Sequence, residues 1–230
     1  MFGYFDPAYL LLVMLPALVL GGLAQFFVQN AFSKWGQTRN GSAVTGPEAA
    51  QQIMRTAGLK VRLELTPGRM SDHYDPTSHT VRMSPEVAER PSVAAMAIVA
   101  HELGHAQQHQ DGSALISLRN FLVPAVQMSP IVSYGLIMAG LVLNLTGLAW
   151  IGVAFFAVTV FFMVLTLPVE IDASLRGLKL LEQSGLMRAA HDRSGSRQIL
   201  TAAALTYVAA AVTAILQLLY YVNLISRSRN

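Results

Sequence analysis

Cysteine is absent from the 230 residues. That excludes disulfides and any thiolate metal site, and it removes the usual clue to redox compartment. Charge is scarce: 13% of residues are Asp, Glu, Lys or Arg, about half the fraction usual for a soluble domain. The net charge of +3 comes from Lys and Arg scattered through loops, without the basic patch that nucleic-acid binding requires. There is no internal repeat and no low-complexity tract. The balance is apolar, at 53% hydrophobic residues, and it points to a membrane protein.

Long charge-free runs carry that reading further. Tyr9 to Val28 is apolar for 20 residues, long enough to cross a bilayer. A signal peptide is the rival, but the preceding Met1 to Pro7 carries Asp6 and no Lys or Arg, so a retained anchor is expected. Phe121 to Val169 has no charge for 49 positions, room for two spans with a turn at Asn144-Leu145-Thr146-Gly147. Pro124 and Pro130 would bend the first of these, which neighbouring helices can accommodate. Gln198 to Ile225 is a fourth run, with Ala202–Ala204 and Ala209–Ala211 suited to close helix packing. Nine Lys and Arg lie between Lys34 and Arg119, five between Arg176 and Arg197, and none in the Asn144 turn. With four spans, both charged stretches fall on one side, expected to be cytoplasmic. Arg227 and Arg229 then fall outside, a mild violation.

Gln29 to Asn120 is polar, mixed in charge and punctuated by Gly and Pro, as a folded region is. Thr45-Gly46-Pro47-Glu48 starts a helix that Gly58 ends. Val61 to Leu65 alternates as a strand. Asp75-Pro76 favours a turn that Thr77-Ser78 continues, and His79 to Met83 is expected as a second strand. If that second strand is a sheet edge, it could hold an extended substrate by backbone pairing. Ser84-Pro85-Glu86 opens a brief helix, and Ser92 caps a longer one that runs to about Gln110 and closes at Asp111-Gly112.

That longer helix carries the chemistry. Ala100-His101-Glu102-Leu103-Gly104-His105-Ala106 contains the H-E-x-x-H pattern. Residues four apart share a helix face, so His101 and His105 can present both imidazoles to one ion. Glu102 is placed to act as a general base on a water without being a ligand. From six His and seven Glu, a chance match is expected on the order of half a percent of the time.

Catalytic zinc usually takes three protein ligands and leaves a position for water. A third histidine ten residues after His101 is ruled out because Asp111 stands there, and the glycine that pattern needs three residues earlier is replaced by Gln108. His109 shares the face but lies two turns from His101; it is either a partner around the site or a polar residue at the helix end. Glu170 closes the third apolar run and is the best candidate, against the alternatives of a snorkelling carboxylate or a partner for Arg176. Asp172 is either a hydrogen-bond acceptor for a liganded histidine or a helix-start carboxylate. His73 and Tyr207 are candidates for polarising a scissile carbonyl, with His79 and His191 behind them; each has an ordinary structural alternative.

Taken together, Asp72-His73-Tyr74-Asp75-Pro76, the His101–His105 motif, Leu167-Pro168-Val169-Glu170 with Asp172-Ala173-Ser174, and Ala204-Leu205-Thr206-Tyr207-Val208-Ala209 mark a family. The chain resembles the bacterial membrane-embedded neutral zinc metallopeptidases called YugP-like. The resemblance implies a gluzincin-like peptidase with one Zn²⁺ on His101, His105 and Glu170 and with Glu102 as general base. It departs from related membrane peptidases with an E-x-x-x-D pattern, because Ser174 stands where that Asp would be.

The expected architecture is a mainly α membrane protein. Four transmembrane helices are joined by a small α+β zincin-like cytoplasmic domain inserted between the first and second. Residues 1–28 form an anchor, 29–120 the catalytic region, 121–169 a transmembrane hairpin, 170–198 the third-ligand helix and a cytoplasmic loop, and 199–230 the last span and tail. The expected activity is zinc-dependent endopeptidase at the cytoplasmic face of a bacterial inner membrane. A non-catalytic zinc-binding scaffold is the alternative. The partners are a peptide or protein substrate and the bilayer, with a homo-oligomer open and nucleic acid excluded.

Overall fold

Apolar runs too long for one helical turn of core become four long helices: α1 (Pro7–Gln37), α5 (Ala114–Val142), α6 (Thr146–Gln183) and α7 (Ala190–Arg227). Each is long and apolar enough to cross a membrane. In this computed structural model, residues 6–227 are described. Arg229 and most of the flank before the first span lie outside them. Between α1 and α5 the chain forms α2 (Gly46–Ala57), β1 (Arg62–Leu65), β2 (His73–Asp75), β3 (Thr80–Met83), α3 (Pro85–Glu89) and α4 (Val93–Gln110).

The chain divides into two compact units whose boundaries fall inside the four long helices. One comprises residues 1–24, 118–168 and 206–230. Its interior is made by Ile137 of α5, Val153 and Phe156 of α6, and Ala214 and Ile225 of α7. Asn144 adopts φ 54° where α5 turns into α6, a left-handed geometry that Asn tolerates better than most residues. Pro124 and Pro130 both sit inside a continuous α5. The outer faces are bare of polar cover: Ile131 is 79% exposed and Phe121 78%. Such a surface would be an aggregation hazard in water and is normal against lipid.

The other unit comprises residues 25–117 and 169–205. Its core joins Ile53 of α2, Met83 of β3, Met96 and Leu103 of α4, and Leu180 and Leu181 of α6. Each such side chain contributes roughly 1.5–3 kcal/mol on burial. Thr45 opens α2 with its N–H donating to the Glu48 carboxylate at 2.7 Å, and Gly58 ends it with φ 66°.

The sheet has the order β1-β3-β2. β3 runs parallel to β1 and antiparallel to β2, with Tyr74 opposite Val81. One expectation is corrected here, and one strand is added. The turn expected at Asp75-Pro76 and Thr77-Ser78 is present from Pro76 on, and the residues just before it, His73–Asp75, form a strand that the sequence reading lacks. The strand ending at Met83 is central, not an edge, because both of its sides are already paired. It cannot hold a substrate by backbone pairing.

Candidate metal centre

α4 is built to be buried on every face. Val93, Ala94, Ala95, Met96, Ala97, Val99, Ala100 and Leu103 are all at most 1% exposed, the pattern of a helix enclosed by protein. Ser92 caps it by accepting the Ala95 N–H at 3.0 Å, and Asp111 and Gly112 close it. Small residues let α6 lie directly against it. A Cβ on Gly104 would collide with the Ala173 carbonyl, and one on Gly177 would stand 2.9 Å from the Ala100 carbonyl oxygen. The two glycines thus fix a close crossing that sets Glu170 over the histidine pair.

The geometry at that crossing is specific. His101 Nε2 lies 3.3 Å and His105 Nε2 3.5 Å from the same Glu170 oxygen, and the donor atoms of all three lie within 4.8 Å of one another. Glu170 is 2% exposed. A tetrahedral ion with bonds of about 2.1 Å has ligand–ligand edges of roughly 3.4 Å. The donor set therefore fits Zn²⁺ in chemistry and spacing.

Each imidazole is oriented from behind. His101 Nδ1 meets Ser174 Oγ at 3.2 Å, and His105 Nδ1 meets Gln108 Oε1 at 3.0 Å. Gln108 Oε1 can only accept, so the His105 Nδ1 that meets it carries a proton, and Nε2 is the nitrogen turned toward Glu170. The Gln108 amide then donates to the Val169 carbonyl at 2.8 Å and to Asp172 at 2.7 Å. Arg176 ties Asp172 to Asp111. Burial alone would depress the His105 pKa, but its contacts with Glu170, the Glu102 charge and Gln108 outweigh that and raise it.

Glu102 stands beside this cluster, nearly buried at 9% exposure. Its Oε2 accepts the backbone N–H of Tyr74 at 2.8 Å. The Tyr74 hydroxyl in turn lies 2.8 Å from His109 Nδ1 and 3.1 Å from His79 Nδ1, between two imidazoles stacked 4.7 Å apart. His79 holds φ 48°, an uncommon conformation for a residue with a Cβ. Asp72 accepts both the N–H and the hydroxyl of Ser84, at 2.7 and 2.9 Å, and links the loop before β2 to the start of α3.

The structure thus brings together His101, His105 and Glu170 with Glu102 alongside. Glu170 sits within an unbroken α6 rather than at a helix end, so Asp172 is not a helix-start carboxylate. Asp172 reaches His105 only through Gln108. His109 turns to Tyr74 and His79 rather than to a histidine of the cluster. His73 is exposed and faces the Ser71 carbonyl, and His191 faces the Arg39 carbonyl. Tyr207 belongs to the other compact unit. Sequence reasoning missed Gln108 and the backbone of Tyr74. The first had a signal, a polar residue three positions after His105 on a buried helix; the second had none, since a backbone donor has no residue signature.

A family model described as "putative neutral zinc metallopeptidase" matches residues 10–226. A protein of Bacillus subtilis (strain 168) named "putative membrane protease YugP" is 37% identical over 215 residues, 93% of this chain and 95% of that protein. No solved structure matches the chain. A match running through nearly every residue places this chain in the family described as putative neutral zinc metallopeptidases.

Proposed function

We propose that this chain is a zinc-dependent, membrane-embedded endopeptidase of gluzincin type. The observation that carries the reading is the convergence of two outward imidazole nitrogens on one buried carboxylate oxygen, with a separately anchored glutamate beside them. His101, His105 and Glu170 would hold one ion. Bound Zn²⁺ supplies a Lewis acid that polarises a carbonyl and makes its water acidic near neutral pH.

The protein's own groups do the rest. Glu102, fixed through one oxygen by Tyr74 N–H, takes the proton of the attacking water and returns it to the leaving amine. Ser174 and Gln108 keep both histidines aimed inward. The Tyr74–His79–His109 cluster, joined to Glu102 through Tyr74, provides the donors we assign to the scissile carbonyl in place of the exposed His73. β2 is the sheet edge beside Glu102, and we assign the extended substrate to it. The Lys and Arg distribution supports a cytoplasmic site in a bacterial inner membrane.

The test is cleavage of an unfolded protein by detergent-purified enzyme, wild type against Glu102→Gln, with metal content measured on both. The expected result is equal zinc and cleavage by the wild type alone, with a loss of at least a hundredfold in the variant. Equal zinc and no cleavage by either would favour the non-catalytic scaffold. Equal cleavage by both would refute Glu102 as the base.

A further inference from the structure

A cavity of about 510 Å³ lies apart from the metal cluster, where the second half of α1 faces α3, the loop before β2 and the first turn of α4. Its α1 wall is a polar stripe, Gln25, Gln29, Ser33 and Gln37, at four-residue intervals on one helix face. Hydropathy does not call for amides there. Opposite stand Arg69, Glu86 and Arg90, with Phe32 and Met70 as apolar lining.

The charges are arranged as an open dipole. Glu86 Oε1 pairs with Arg69 Nε at 3.2 Å, but its other oxygen, Oε2, is buried with no hydrogen-bond partner among the described residues. A buried carboxylate oxygen left so calls for a donor. Arg90 adds a cation on the same wall. A carboxylate set between two guanidiniums suits a ligand with both an ammonium and an anion. A purely anionic ligand would meet Glu86.

The position says where such a ligand comes from. α1 is 31 residues long, or about 46 Å, against roughly 30 Å for the hydrocarbon core. From Pro7 onward its first charge is Lys34. The stretch from Gln25 to Gln37 therefore straddles the headgroup layer. We propose that this cavity binds the headgroup of a zwitterionic aminophospholipid, its ammonium on the Glu86 carboxylate, its phosphate on Arg90, and its ester oxygens along the α1 amides. Phe32 and Met70 receive the first methylenes of the acyl chains. The assignment rests on the membrane reading alone and is independent of peptidase activity.

The test titrates phosphatidylethanolamine or phosphatidylglycerol into delipidated, detergent-solubilised full-length protein and counts bound lipid by native mass spectrometry. The wild type is expected to take one phosphatidylethanolamine about tenfold more tightly than phosphatidylglycerol, and Glu86→Gln to erase that preference. Gly36→Leu provides a second variant. A Cβ there would meet only the Phe32 ring, at 3.8 Å, so the larger side chain should fill the cavity and abolish binding of both lipids without touching a charge. Melting temperature and zinc content should stay as in the wild type. Equal affinity for the two lipids in the wild type, or a preference retained in Glu86→Gln or Gly36→Leu, would overturn the proposal. Competition by free O-phosphoethanolamine at the lipid's own concentration would also overturn it, in favour of a soluble zwitterion.

Discussion

Replacing Gln108 with leucine should loosen zinc without touching a ligand. The side chain is 1% exposed and fills a fixed place: Oε1 on His105, Nε2 shared by the Val169 carbonyl and Asp172. Leucine keeps most of the volume, so the core should survive. What is lost is the acceptor that holds the His105 proton on Nδ1, and the ring is then free to rotate or to present the wrong nitrogen. Removing such a partner behind a ligand typically costs 10–100-fold in metal affinity, about 1.4–2.7 kcal/mol. Ser174→Ala should fall at the lower end, because its contact with His101 is longer, at 3.2 Å. The assay is competition for Zn²⁺ against a chelator of known affinity at fixed pH. The melting temperature of the metal-free protein is measured in parallel. A wild-type zinc affinity in Gln108→Leu would refute the orienting role. So would an affinity loss that merely tracks a matching drop in metal-free stability.

Gly104→Val should be the harsher change, because the new side chain meets the Ala173 carbonyl and pushes α4 off α6. An overpacking cost of about 1–3 kcal/mol should appear as a lowered melting temperature together with lost stoichiometric zinc. Two aspartates near the sheet should tilt stability with pH in opposite senses. Arg82 first, then Ser78 and Thr77, hold the Asp75 carboxyl well below the usual range. Its contribution is present above the ordinary carboxylate pKa and is lost as pH falls, so Asp75→Asn should cost more at pH 7 than near pH 3. For Asp72, burial outweighs the Ser84 hydrogen bonds and pushes the pKa up, with the Glu102 charge adding to it. Its contribution is full below the ordinary range and is lost as pH rises through the raised value. Asp72→Asn should therefore improve relative to the wild type as pH increases. Melting curves of the three proteins across that range decide both signs.

The parts of the site visible in the sequence are those written within one helical turn or against a strong background. His101 and His105 are four apart, so helix geometry alone places them together. Glu170 is 65 positions further on, yet it is the first charge after a long apolar run, and that contrast marks it. The crossing that joins them was not visible. Gly104 and Gly177 are ordinary glycines in a helical pattern until the structure shows each meeting the other helix's backbone. The sheet failed for a related reason. A three-residue strand next to Asp-Pro carries more turn signal than strand signal, and without β2 the strand from Thr80 to Met83 looks like an edge.

The same contrast that exposed Glu170 also explains what was passed over. A carboxylate in an apolar helix breaks the charge-free run and demands a reason. Gln25, Gln29, Ser33 and Gln37 do not break it, because amides and hydroxyls carry no charge and a 20-residue window averages them away. Their spacing of four is as regular as that of the two histidines, and it puts them on one face in the same way. Periodicity of polar residues within apolar helices is therefore the better search variable. It recovers the cavity wall on α1 that a scan for charge alone leaves out.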